Sequence, residues 1–219
     1  MRELERLEAP GERSLVRVTY EFLRPVPIGE LEIHAELVRP GRRVSLLEAS
    51  LSADGTEVAR ARALAVRPAK VASAGAVDQQ PPGPDEGRPD EFRSPYRPMF
   101  FPDAIEIRFV EGGFGSGPCT AWLRLRVPIV AGEDPSPLQR VAAAADFGNG
   151  LSTPLSWDEY LFVNPDLTLY VQRPPAGDWV CLRARTRLQN GTGAISESEL
   201  FDERGRIGHA TQALFVAPR

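Results

Sequence analysis

The sequence predicts an α+β fold in which an antiparallel sheet curls around a helix, and it predicts that unit twice in one chain. Three observations lead there. Residues 18–68 repeat in residues 167–218: Arg24-Pro25 falls on Arg173-Pro174, Thr19 on Thr168, Ala35 on Ala184, Glu48 on Glu197 and Leu51 on Leu200, all at one offset. Each copy alternates apolar and polar residues, as in LEIHAELV and VCLRARTRL, with turn residues such as Asp54-Gly55 and Arg204-Gly205 between the runs. That pattern is a meander of about four antiparallel strands. Ahead of the second copy lies the stretch EDPSPLQRVAAAADFGNGLS, which carries the start signals of a helix.

In chain order, MRELERLEAP reads as the tail of a helix preceding the first meander. The hairpin and most of the helix that precede the second meander have no counterpart here, so the first repeat is expected to be incomplete at its N-terminus. Residues 69–103 include QQPPGPDEGRPDEFRSPYRP, whose prolines, glycines and charges suit a linker over the surface. AIEIRFVEG and TAWLRLRVPIV follow as strands. Ser136 is placed as an N-cap with Pro137 at the first helical position and Gln139 three residues after the cap, a capping-box spacing. The helix is expected to end near Gly148 to Gly150. The domains are therefore 1–68, a truncated first repeat, 69–103, a linker, and 104–219, a complete second repeat. An extra residue at the second copy's DERG turn is expected to shift the offset by one, which sets Ala63-Leu64 on Ala213-Leu214 and Gln212 on Arg62.

A length of 219 residues exceeds the common single-domain size of roughly 100 to 150, in keeping with two units. The net charge of −4 gives no basic footprint for nucleic acid or anionic lipid. No apolar run approaches the roughly 20 residues of a membrane span, and the charged start lacks the apolar core of a secretory signal, so a cytoplasmic protein is expected. Cys119 and Cys181 are isolated, without metal-ligand spacing, and are read as reduced and buried, with a single disulfide as the alternative. Among motifs with a mechanism, the chain shows no G-x-S-x-G elbow, no paired cysteine and histidine, no phosphate-cradling glycine loop and no flavin or nicotinamide fingerprint.

Three polar residues stand out. Asp146 follows Leu138 and Ala142 at helical spacing and is flanked by Val141 and Ala145, which puts it on or beside the apolar stripe. Gln212 shares a strand face with Leu214 and Val216. Asn164 precedes Pro165, a turn-forming pair. Each has a plain reading: a helix-end acid facing solvent, a rim glutamine satisfied by water, a turn former. His34 and His209 fall at unrelated places in the two repeats and read as surface or core histidines.

The segments AAADFGNG, NPDLTLYVQRP and GHATQALFV, with YEFLRP in the first half, resemble the acyl-CoA thioesterase II family. The resemblance covers most of the chain except the linker. It implies a double hotdog fold and hydrolysis of a fatty acyl-CoA by water activated on a helix aspartate, without a covalent intermediate. It also implies acyl-CoA as substrate, no separate cofactor, and a homo-oligomer of double-hotdog chains. The family's aspartate matches Asp146 and its last-strand glutamine matches Gln212. Its strand-start hydroxyl or amide position matches Asn164, where better-known members carry threonine. One site per chain follows, because the first repeat offers no match for Asp146. Two other readings share the architecture: a hydratase or dehydratase, which needs a histidine near the acid, and a non-catalytic acyl-binding or scaffold protein.

Overall fold

The computed structural model describes residues 1–7, 12–69, 79–90, 103–189 and 193–219. The first meander forms β1 (Ser14–Phe22), β2 (Glu32–Arg39), β3 (Val44–Ala53) and β4 (Thr56–Val66), preceded by the short helix α1 (Arg2–Leu7). The second repeat brings the hairpin β6 (Ile105–Glu111) and β7 (Cys119–Leu125), then the helices α2 (Pro137–Ala145) and α3 (Gly148–Ser152). Strands β8 (Tyr160–Val163), β9 (Asp166–Val171), β10 (Trp179–Gln189), β11 (Gly193–Asp202) and β12 (Gly205–Pro218) follow. The alternation that predicted the meanders also fixes their faces. Leu167, Leu169, Leu182, Leu200 and Ala210 point inward onto α2 and α3, with Val141, Ala144 and Ala145 opposite them. Leu4 of α1 packs on Leu15, Val18, Leu47, Ala61, Ala63 and Ala65 in the first repeat.

All but β8 of these strands join one sheet in the order β2-β3-β4-β1-β9-β12-β11-β10-β7-β6, with the two-residue strand β5 (Arg88–Pro89) beyond β6; β8 pairs with β12 alone. The repeats meet where β1 runs antiparallel to β9. In that pairing Thr19 lies opposite Thr168, its own repeat equivalent, and the Thr168 hydroxyl bonds that of Thr19 at 3.2 Å. A residue can face its own copy across an antiparallel pair only on a local twofold axis, so the two repeats are related by a pseudo-dyad through this point.

The registers correct the sequence alignment. Ala53 opposite Thr56 closes one turn and Asp202 opposite Gly205 closes the other, each around two residues, and both hairpins shift register at the equivalent step after Leu51 and after Leu200. No extra residue separates the copies. Because Arg62 pairs with Thr19 and Thr211 with Thr168, the equivalent of Gln212 is Ala63, not Arg62. The slip matters because adjacent strand residues face opposite sides of a sheet. Matching alanines in two alanine-rich strands suggested the offset, and backbone pairing decides it.

Three other expectations need adjustment. The helix does not run unbroken to Gly148–Gly150: α2 stops at Ala145 with Asp146 as its C-cap, and α3 makes a second turn to Ser152. The Ser136 hydroxyl accepts the Gln139 N–H at 3.1 Å as a cap should, but the Gln139 side chain donates to Glu5 of α1, so the capping box is half formed. Part of the expected linker joins the second repeat. Pro82 accepts the Trp122 indole N–H at 2.8 Å, and β5 pairs with β6 as an edge strand, where proline is tolerated. The remaining linker, residues 70–78 and 91–102, lies outside the described residues. Cys119 and Cys181 are buried free thiols, and burial raises both, Cys119 to about 12.

The second repeat contains a buried ion pair with no equivalent in the first. The Asp202 carboxylate, 1% exposed, takes both Arg173 guanidinium nitrogens and the N–H groups of Ala176 and Arg204; the matching position in the first repeat is Ala53. Burial alone would raise the Asp202 pKa, but these bonds together lower it. A group with a depressed folded pKa adds stability above its unfolded pKa and loses it as pH falls through the folded value. Arg173→Ala is therefore expected to cost about 3 kcal/mol at neutral pH, the low end for a buried pair because Arg173 is 32% exposed. That cost should shrink as the pH drops below the carboxylate range. Urea melts across pH check this, and a cost independent of pH contradicts it.

Candidate active site

The break between α2 and α3 sets the geometry of the site. Asp146 caps α2 at a point where the chain passes over β12, and Asn164, just before β9, comes up beside it. The Asn164 amide donates from Nδ2 to Asp146 Oδ1 at 3.0 Å. Gln212, on the inner face of β12 and 2% exposed, donates from Nε2 to the same Oδ1 at 3.1 Å and to the Asp146 carbonyl at 3.2 Å. The three residues singled out in the sequence thus meet at one carboxylate oxygen. Among the described residues no protein donor reaches Oδ2, so one oxygen is fixed and the other is left to accept a proton.

Asp146 itself is exposed, although protein packs around its carboxyl group on the inner sides. That crowding excludes enough water to raise its pKa, against which the Asn164 and Gln212 bonds favour the charged form and pull down. The result is a carboxylate with a proton affinity above the ordinary aspartate value, open to solvent on one side. Such a group can polarise and deprotonate water.

Other residues at the site were missed by sequence reasoning. The Asn149 backbone N–H donates to Gln212 Oε1 at 3.1 Å. Beside Gln212 in the sheet stand Ser196 on β11 and Thr186 on β10, and the Ser152 and Thr186 hydroxyls lie 2.8 Å apart. Ser196, Ser198, Ser152 and Thr186 are all buried, and Ser196 Oγ and Asn149 Oδ1 have no partner among the described residues. Each such orphan costs about 1–3 kcal/mol, so this polar band does not exist for stability. Its trace in the sequence is ISESEL, where serines replace the apolar residues that should face the core. At the equivalent inward positions the first repeat carries Leu37, Leu47, Ala49 and Ala63. The histidines lie elsewhere: His209 stacks on Tyr170 at 4.8 Å on the outer face, and His34 shares the outward register of Glu36 and Glu48. Among the described residues no cluster of metal-ligating side chains occurs.

Residues 75–216 match the family model described as the acyl-CoA thioesterase C-terminal domain, and residues 1–66 match that of the acyl-CoA thioesterase N-terminal domain. No match is found among curated proteins. Among solved structures, the chain is similar to a conserved protein of unknown function with a hot dog fold from Alicyclobacillus acidocaldarius. The two share 18% identity with a TM-score of 0.73, covering 96% of this chain and 80% of the other. It is also similar to the acyl-CoA thioesterase II TesB2 from Mycobacterium marinum, at 15% identity and a TM-score of 0.69, covering 99% and 84%. At these identities the likeness shows a hotdog fold.

The two amide bonds to Oδ1 lead to a test that needs no substrate. A carbon-13 titration of the Asp146 carboxyl should give a pKa above the ordinary aspartate range. In Gln212→Leu, which keeps the volume and removes the donor, it should rise further, because a bond that favours the charged form is gone. A fall, or no change, would show that Gln212 does not act on the carboxylate.

Proposed function

The chain belongs to the acyl-CoA thioesterase family, and from that premise we propose that it hydrolyses acyl-CoA thioesters with Asp146 as general base. The observation that carries the proposal is the convergence of Asn164 and Gln212 on a single oxygen of Asp146. Held there, the carboxylate cannot rotate, and Oδ2 takes a proton from a water molecule as that water attacks the thioester carbonyl carbon. A C–O bond forms and a tetrahedral oxyanion results. Its collapse breaks the C–S bond, and the proton held on Asp146 passes to the departing thiolate, giving free acid and coenzyme A. Fixing the base and its water in one arrangement lowers the entropic part of the barrier. No nucleophilic side chain takes part.

On this reading residues 104–219 form the catalytic repeat and 1–68 the supporting one, with 69–103 between them. The hydratase alternative gains nothing here, since both histidines are on the outer sheet face. Association of copies belongs to the same proposal: among the described residues β2 and β5 end the sheet as open edges, and open edges favour pairing or cover.

Asp146→Asn keeps the size of the side chain and removes its basicity. It should fold as the parent does and lower coenzyme A release by about 10²- to 10⁴-fold, read with a thiol reagent on short, medium and long acyl-CoAs. A folded variant with the parent rate would remove Asp146 from the chemistry.

A further inference from the structure

We infer that Gly148 is a positioning residue for this hydrolysis: having no side chain, it lets the first turn of α3 close on Gln212 and so fixes which end of the Gln212 amide faces Asp146. The inference rests on the proposed role of Asp146. A glutamine amide has two ends of nearly the same shape and opposite hydrogen-bonding character. Turned one way it donates to the Asp146 carboxylate, and turned the other way it sets an oxygen against it. Among the described residues, the group that selects the orientation from the far end is the Asn149 N–H, which bonds Oε1 at 3.1 Å and leaves Nε2 to Asp146. A backbone N–H only donates, so it can hold the amide in one of the two orientations alone.

That bond requires the backbone of α3 to lie almost on the sheet. A Cβ at position 148 would stand 2.8 Å from Ser198 Oγ, 3.1 Å from Gln212 Oε1 and 3.2 Å from Ser196 Oγ. The two serine hydroxyls sit on short side chains of the central strand β11, and Gln212 Oε1 is held on β12 beside it by the bonds at its far end, so the helix would have to lift, and the Asn149 N–H would leave Gln212. Gly148 has an ordinary helical conformation and is absent from the positive-φ glycines, so close approach and not backbone freedom explains it. Gly150, two residues on, provides the contrast: a Cβ there meets only Phe114 Cζ at 3.8 Å.

The test compares Gly148→Ala with Gly150→Ala, which makes the same helix-favouring change in the same turn without approaching Gln212. With acetyl-, octanoyl- and palmitoyl-CoA, Gly148→Ala should lower kcat by about 10²-fold and leave KM nearly unchanged. The acid limb of its rate profile should move to higher pH, because Asp146 loses a donor that favours its charged form. Gly150→Ala should keep the parent kcat and acid limb. Adding Ser198→Ala to Gly148→Ala removes the shortest contact and should recover part of the loss. The same displacement is read without turnover in the Asp146 carboxyl titration, expected to rise in Gly148→Ala and to stay put in Gly150→Ala. If Gly148→Ala does not fold, Ser198→Val fills the same gap from the strand side and is read in the same way. Parent kcat and an unmoved carboxyl titration in Gly148→Ala would overturn the inference, as would an equal loss in Gly150→Ala. Asp146→Asn measured alongside separates the two claims: if it is inactive while Gly148→Ala is fully active, only the positioning role fails, and if it is active the base and this inference fall together.

Discussion

Backbone hydrogen bonds between β1 and β9 turn two repeats into one sheet, and the position of the site follows from that seam. With Thr19 against Thr168 on the pseudo-dyad, the N-terminal end of β9 lies beside the C-terminal end of β1, where the Phe22 N–H bonds the Pro165 carbonyl at 2.7 Å. Asn164 immediately precedes that point, so its amide is delivered to Asp146 by a rigid sheet and not by a free loop. Gln212 stands on β12, the other neighbour of β9. Both donors therefore share one rigid frame, and the helix brings the acid to them.

The pseudo-dyad also shows how one half differs from the other. The equivalent hairpins β3–β4 and β11–β12 share the same register down to the bulge, so across these strands the difference between the halves lies in side chains. Ser196, Thr186 and Gln212 lie on the sheet face that carries the buried Leu47 and Ala63, and the exposed Leu37, in the first repeat. An apolar row packs a helix by area alone. A polar row at the same place leaves buried hydroxyls short of partners, a cost that the Arg173–Asp202 cluster and the leucine-rich core around Val141 help to offset.

Much of this was legible in the sequence, for identifiable reasons. Strand alternation and turn residues located both meanders, and Ser136-Pro137 marked the start of α2, because these signals act over a few residues. The resemblance supplied Asp146, Asn164 and Gln212, which the fold brings together. What could not be read was set at long range. Whether Gln212 matches Arg62 or Ala63 depends on pairing between strands, and alanine-rich strands give an alignment little to hold. The close approach of Gly148 to serines some 50 residues away on β11 is likewise set at long range. β8 is four residues long and owes its pairing to the tail of β12. Pro82 and the short strand at Arg88 looked like linker because their partners, Trp122 and β6, lie outside the window in which composition is judged.

A clamped carboxylate oxygen beside a free one can serve in two ways. It can activate water, as proposed, or attack the thioester itself and form an anhydride that water later opens. When water opens the anhydride at the Asp146 carbonyl, the two routes differ in where the new oxygen of the acid comes from. The most direct measurement is a single turnover of acyl-CoA by excess enzyme in oxygen-18 water, with mass analysis of the released acid and of the peptide containing Asp146. The account predicts one solvent oxygen in the acid in the first turnover and none in Asp146. Unlabelled first-turnover acid, with the label appearing in Asp146, would contradict it.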